Sequence, residues 1–195
     1  MQNIFITISS ILIFVSYCIY GWSIVKGQTK PHRTTKLVSL IITSLGTISL
    51  LAQHDKVAIW FIGTSAVQCL IIFALSFKFG MGKWSKNDLL CLLIVLVGIL
   101  TWKITNNPAL GIYASVIVDF AGMVPTLVKT YRLPDTEYFP AYLLDALAVS
   151  FTLLAIQTWQ IHSYLYPLYF LIISLTMVLL ITRPTLYKKL SLKRA

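Results

Sequence analysis

Apolar residues dominate long stretches of this chain, and short polar segments break them at fairly regular intervals. Seven apolar runs stand out, at about residues 4–25, 37–53, 57–79, 89–104, 109–128, 140–158 and 164–182. A helix that crosses the hydrocarbon core needs about 20 mostly apolar residues. Each run therefore predicts one spanning α-helix. The second and fourth runs are short, so their ends are set only to within a few residues.

Composition agrees with that pattern. The 195 residues are 57% hydrophobic and 11% charged, with mean hydropathy +0.81. An ordinary soluble domain is less apolar and more charged. The net charge of +10 would normally raise nucleic acid as a partner, but its distribution argues otherwise. One set of alternate loops holds Lys26, Lys30, Arg33 and Lys36, then Lys78, Lys83 and Lys86, then Lys129 and Arg132, and the tail adds Arg183, Lys188, Lys189, Lys193 and Arg194. The other set holds only Lys56 and Lys103 of the 16 basic residues. Basic loops stay cytoplasmic. The N-terminus is therefore expected outside and the C-terminus inside, as an odd number of spans requires.

The first run lacks the basic start of a secretory signal and is longer than its apolar core, so it is read as a retained helix. Cys18, Cys69 and Cys91 fall within spans and suggest packing rather than a disulfide framework or metal site. No cofactor is expected. The compact loops and lack of long tails point to a bacterial inner membrane.

Shifted by 103 residues, so that residue 26 falls on residue 129, the chain aligns on itself without a gap. Val25-Lys26 meets Val128-Lys129, Pro31 meets Pro134, Leu40 meets Leu143, and Leu50-Leu51-Ala52 meets Leu153-Leu154-Ala155. Spans, basic exits and loop prolines coincide together. The expected fold is all-α and polytopic, with two parallel three-helix repeats joined by a linker helix. The divisions are 1–82, 83–106 and 107–183, followed by a basic tail at 184–195. Transporters built this way hold their substrate near the midplane.

The second repeat contains Val124-Pro125-Thr126-Leu127-Val128-Lys129-Thr130-Tyr131-Arg132, then Asp135-Thr136-Glu137 and Phe139. This resembles the SWEET and PQ-loop superfamily, which places proline and then Gln or Thr near the cytoplasmic end of a repeat's first helix. A basic loop and a Ser-Thr-Glu-like turn follow in that family. Gly63-Thr64-Ser65-Ala66-Val67 is similar to its third helix. The resemblance covers nearly the whole chain and implies a small-solute transporter. Three departures count against sugar as the solute. Trp22 stands where the first repeat would carry the proline. Ile62 replaces a midplane asparagine, and Leu51 and Leu154 replace tryptophans. A sugar site needs hydrogen-bonding partners and an aromatic platform.

Asp119 sits near the middle of the fifth run, where an ionisable group costs several kcal/mol (about 2.5–3.5 on insertion scales). It is read as a protonatable or cation-attracting site. The alternative is a structural carboxyl bonded to a neighbouring helix. Pro125 is a candidate hinge. Asp145, in the sixth run, is a candidate inner gate acting through Lys129 or Arg132, or else a snorkelling carboxyl. Gln68 suits pore lining but suits helix pairing better. Thr43, Ser44, Gly46, Thr47 and Ser49 suit close helix approach first and pore lining second.

Trp22, Trp60, Trp102, Lys103 and Trp159 suit the membrane interfaces, and Asn106-Asn107-Pro108 reads as an outer turn. Lys30-Pro31-His32-Arg33 serves as a topology signal, with anionic lipid contact or half of an inner gate as further readings. The basic tail has the same main reading, with lipid attraction second.

The leading expectation is a transporter working by alternating access on a small-molecule solute, with proton coupling open. The alternative is a non-transporting receptor or scaffold on the same fold, using its basic inner loops. An enzyme is disfavoured. The two spanning aspartates lack the Gly-x-Gly-Asp and Tyr-Asp contexts of intramembrane aspartyl proteases, and no Ser/His pairing, metal spacing or phosphate-cradling loop is present.

Overall fold

The computed structural model describes residues 2–52, 56–81, 86–105, 108–157 and 161–192. These form seven α-helices and one short 3-10 turn, with no β-strand among the described residues. The helices are α1 (Gln2–Val25), α2 (Arg33–Ala52), α3 (Lys56–Phe79), α4 (Lys86–Thr105), α5 (Pro108–Arg132), α6 (Phe139–Ala155) and α7 (Ile161–Leu192). The 3-10 turn spans Pro134–Thr136, between α5 and α6. Asn106, Asn107, Lys83, Trp159, Lys193 and Arg194 lie outside the described residues, as do the side chains of Trp60, Trp102, Lys103, Lys188, Lys189, Leu51, Ile62 and the Gly63-Thr64-Ser65 step.

Each apolar run corresponds to one helix, but three helices continue into polar sequence. α2 begins at Arg33, where the Lys36 N–H donates to the His32 carbonyl at 3.2 Å. α5 runs on to Arg132. α7 passes through Pro184 to Leu192, so much of the expected basic tail is helical. By length and apolarity, Gln2–Val25 and Tyr164–Thr185 are able to cross a membrane. Ala66–Phe79, Asp88–Val97 and Phe139–Ala155 are shorter apolar helical segments.

The chain forms two compact units. The first comprises Met1–Thr29 and Leu127–Ala195, and the second comprises Lys30–Thr126. The boundary falls inside α5.

In the first unit α1 lies antiparallel along α6, and α6 packs on α7. Ser9 Oγ is 2.7 Å from Thr152 Oγ1, and Ser16 Oγ donates to the Ala141 carbonyl at 3.0 Å. Phe5 and Phe151 are in ring contact farther along the pair. Ser9, Ser16 and Ser23 recur every seventh residue and are all buried. Such spacing keeps small side chains on one helix face, where they allow close approach.

In the second unit α2 pairs with α3, and Val38, Val95 and Val118 of α2, α4 and α5 form a buried cluster with Ile42, Leu92 and Ile99 against it. Gly122 of α5 sits directly on Val38, and a Cβ there would collide with the valine side chain. Nearby, Thr126 Oγ1 donates to Thr35 Oγ1 at 2.8 Å. α2 and α5 therefore run antiparallel as α1 and α6 do.

Candidate functional site

Among the described residues, the most concentrated polar chemistry lies in the first unit, where α1, α5 and α6 end or begin. Glu137 is its centre. Its carboxylate is buried and accepts from three donors. Lys129 Nζ pairs with Oε1. The hydroxyls of Tyr20 and Tyr142 donate to Oε2 at 3.1 and 3.0 Å. The two tyrosine rings meet edge to face with centroids 6.1 Å apart.

Local sequence explains how a loop glutamate becomes buried. α5 closes with the Leu133 N–H donating to the Lys129 carbonyl at 2.7 Å. Pro134, with φ preset, then starts the 3-10 turn. Thr136 donates through its N–H and hydroxyl to the Leu133 carbonyl, at 3.1 and 2.6 Å. The chain thus reverses within a few residues and returns Glu137 beneath the last turns of α5. Tyr142 follows one turn into α6, and Tyr20 arrives from α1.

Taking a carboxylate and an ammonium out of water costs several kcal/mol per ion, and only good geometry with additional hydrogen bonds offsets it. The three donors on Glu137 meet that requirement. A single carboxylate therefore ties α1, α5, the 3-10 turn and α6 together. Asp145, farther along α6, is half-buried and engaged in an electrostatic or hydrogen-bonding interaction.

The remaining expected residues have distinct settings. Lys129 pairs with Glu137. Arg132 is exposed at the end of α5. Pro125 is accommodated inside a continuous α5. Its ring removes one backbone donor and leaves the Ala121 carbonyl without its usual helical partner. Thr126 is buried and bonded to Thr35. Asp119 is half-buried and its side chain is engaged, next in sequence to the buried Val118. Gln68 is half-buried on α3 beside the buried Cys69. Pro134 starts the Glu137 turn. Pro31 is fully buried, and its carbonyl accepts the Met81 N–H at 3.0 Å.

Pro31 belongs to a second polar cluster, in the second unit. A Cβ on Gly80 would stand 2.7 Å from the Pro31 carbonyl oxygen, so glycine permits the end of α3 to approach this loop. Arg33 then caps α3, donating from Nε to the Ser76 carbonyl at 3.2 Å and from a terminal nitrogen to the Phe77 carbonyl at 3.1 Å. A cation at a helix C-terminus satisfies open carbonyls and favours the helix dipole. His32 Nδ1 lies 3.8 Å from a carboxylate oxygen of buried Asp88, in the first turn of α4. Among the described residues no group of three or more His, Cys, Asp or Glu is placed to hold a metal.

Glu137, Tyr20, Tyr142 and Asp88 escape a reading of the sequence as candidate site residues. Glu137 follows Lys129 by eight residues, within reach once a turn intervenes, and Pro134 marks that turn. The tyrosines carry no comparable signal. No family model, curated protein or solved structure matches the chain.

Proposed function

We propose that this chain is a multi-pass membrane protein of seven spans, with its N-terminus outside and C-terminus cytoplasmic, which carries a small solute by alternating access. The observation that carries the membrane part is an inverted distribution of polarity. Large apolar side chains are exposed along several helices, with Leu89 at 67%, Ile104 at 78% and Leu154 at 65%. Ser9, Ser16, Thr35, Thr126, Lys129 and Glu137 are buried. Water would penalise that arrangement, whereas lipid favours it, because polar groups in a bilayer must be satisfied within the protein.

The basic loops support the orientation. Asp119 supports transport, because an ionisable side chain at that depth of a spanning helix is costly and usually functional. The SWEET-like arrangement of sequence, and the antiparallel α1–α6 and α2–α5 pairs, support two related three-helix sets joined by α4. In this reading Pro125 supplies flexibility, and the Glu137 network holds the cytoplasmic ends of α1, α5 and α6. A bacterial inner membrane suits the short loops. Sugar remains disfavoured, since Leu154 is an exposed aliphatic side chain rather than an aromatic platform.

Uptake into proteoliposomes tests the proposal, using sugars, amino acids, nucleosides, organic acids and cations with and without a pH gradient. The expected result is uptake of one class that is lost in Asp119→Asn with folding intact. A pH-gradient dependence would identify proton coupling. No uptake of any class by folded protein would contradict transport and direct attention to a receptor or scaffold role.

A further inference from the structure

The most obvious lipid-binding run in the sequence, Lys30-Pro31-His32-Arg33, is largely engaged inside the second unit. Arg33 caps α3, Pro31 is fully buried, and His32 faces Asp88. The first unit offers a different set of cations. Lys26 is exposed and lies over the Trp22 ring, 5.1 Å from its centroid. Arg183 lies over the Tyr131 ring at 4.4 Å and donates to the Tyr131 carbonyl at 2.8 Å. Arg132 is exposed beside it in sequence. None of these three cations has a carboxylate partner among the described residues.

Apolar and aromatic side chains accompany them. Trp22 and Val25 are exposed at the end of α1, and Val128, Tyr131 and Leu133 at the end of α5. Tyr20 and Lys129 both bind Glu137, which fixes these helix ends at the same end of the unit. Lys129 and Glu137 offset each other's charge, leaving exposed Asp135 as the nearby acid. This end of the unit therefore combines net positive charge with rings and aliphatic side chains suited to the headgroup boundary.

We propose that this end of the first unit, which carries Trp22, Lys26, Tyr131, Arg132 and Arg183, binds the phosphate of anionic phospholipid in the cytoplasmic leaflet. The proposal rests on the membrane reading above and names a specific lipid contact within it. The rings and Leu133 occupy the boundary region, while the cations meet the phosphate. Each basic side chain near an anionic surface contributes about 1 kcal/mol, or about 5-fold in binding.

The test reconstitutes the full chain in phosphatidylcholine bilayers and in mixed phosphatidylcholine–phosphatidylglycerol bilayers, then measures the lipids retained on release by native mass spectrometry. The expected result is enrichment of phosphatidylglycerol over its share in the bilayer. Lys26→Gln and Arg132→Gln should each lower it about 5-fold, and Asp135→Asn should raise it. Lys78→Gln, the same charge change in the second unit, should leave it nearly unchanged. Retention of the two lipids in proportion to supply, or an equal loss in Lys78→Gln, would overturn the proposal while leaving the membrane reading intact. Failure to float with phosphatidylcholine vesicles after an alkaline wash would overturn both.

Discussion

The Tyr20 hydroxyl donates to Glu137 Oε2 at 3.1 Å, joining the end of α1 to the turn before α6 across 117 positions of sequence. Lys129 occupies the other carboxylate oxygen and Tyr142 shares the first. Three separate segments consequently depend on one buried acceptor.

Removing a single member should be far more damaging than removing the ion pair together. Lys129→Met leaves Glu137 buried without its cation and should cost about 3–5 kcal/mol. The double variant Lys129→Met/Glu137→Gln retains a carbonyl acceptor for the tyrosines and should recover most of that loss. Thermal unfolding of the detergent-solubilised protein measures both. Strictly additive losses would show that the two side chains do not act as a pair.

Gly122 provides an independent test of the second unit. Gly122→Ala should destabilise by about 1–3 kcal/mol, because the added methyl meets Val38. Val38→Ala in the same chain should restore part of that loss. A Gly122→Ala chain that unfolds like the parent would contradict the close approach of α5 to α2.

The serine seam separates hydrogen bonding from space. Ser16→Ala removes the bond to the Ala141 carbonyl and should cost about 0.5–1.5 kcal/mol. Ser16→Leu must also force α1 and α6 apart, so its loss should be larger. Unfolding curves that rank the two variants in the opposite order would contradict a tight α1–α6 seam.

Arg33→Gln should loosen the last turn of α3. Faster amide exchange is expected at Phe77–Gly80, with α7 unchanged. The present cap satisfies the Ser76 and Phe77 carbonyls, and the loss should be about 1 kcal/mol or less. Unaltered exchange at α3 would show that the arginine contributes no local stability.

The sequence makes the helices legible because each long apolar run is bounded by polar segments. It hides their polar extensions. Arg33, Thr34, Thr35 and Lys36 resemble a loop by hydropathy, yet they form the first turn of α2. Similarly, α5 continues through Lys129 to Arg132. The candidate site was legible only in fragments. Lys129 and Pro134 stand out, but Glu137 resembles a solvated loop acid until the 3-10 turn brings it under α5. Tyr20 and Tyr142 resemble ordinary apolar filling, since only tertiary packing reveals what their hydroxyls meet. The seven-residue spacing of Ser9, Ser16 and Ser23 is present in the chain, but only the contacts of α1 with α6 show it to be a seam.

The central claim is that the Glu137 network lies at the cytoplasmic end of a seven-span membrane protein. Single cysteines introduced at Lys26, Lys78 and Arg132, in a chain whose own cysteines are replaced by serine or alanine, test it through an impermeant maleimide applied from each side. The account predicts labelling of all three only from the cytoplasmic side, and labelling of a cysteine at Gln2 only from the outside. Labelling of Lys26→Cys and Arg132→Cys from opposite sides, or of Gln2→Cys from the cytoplasm, would contradict it.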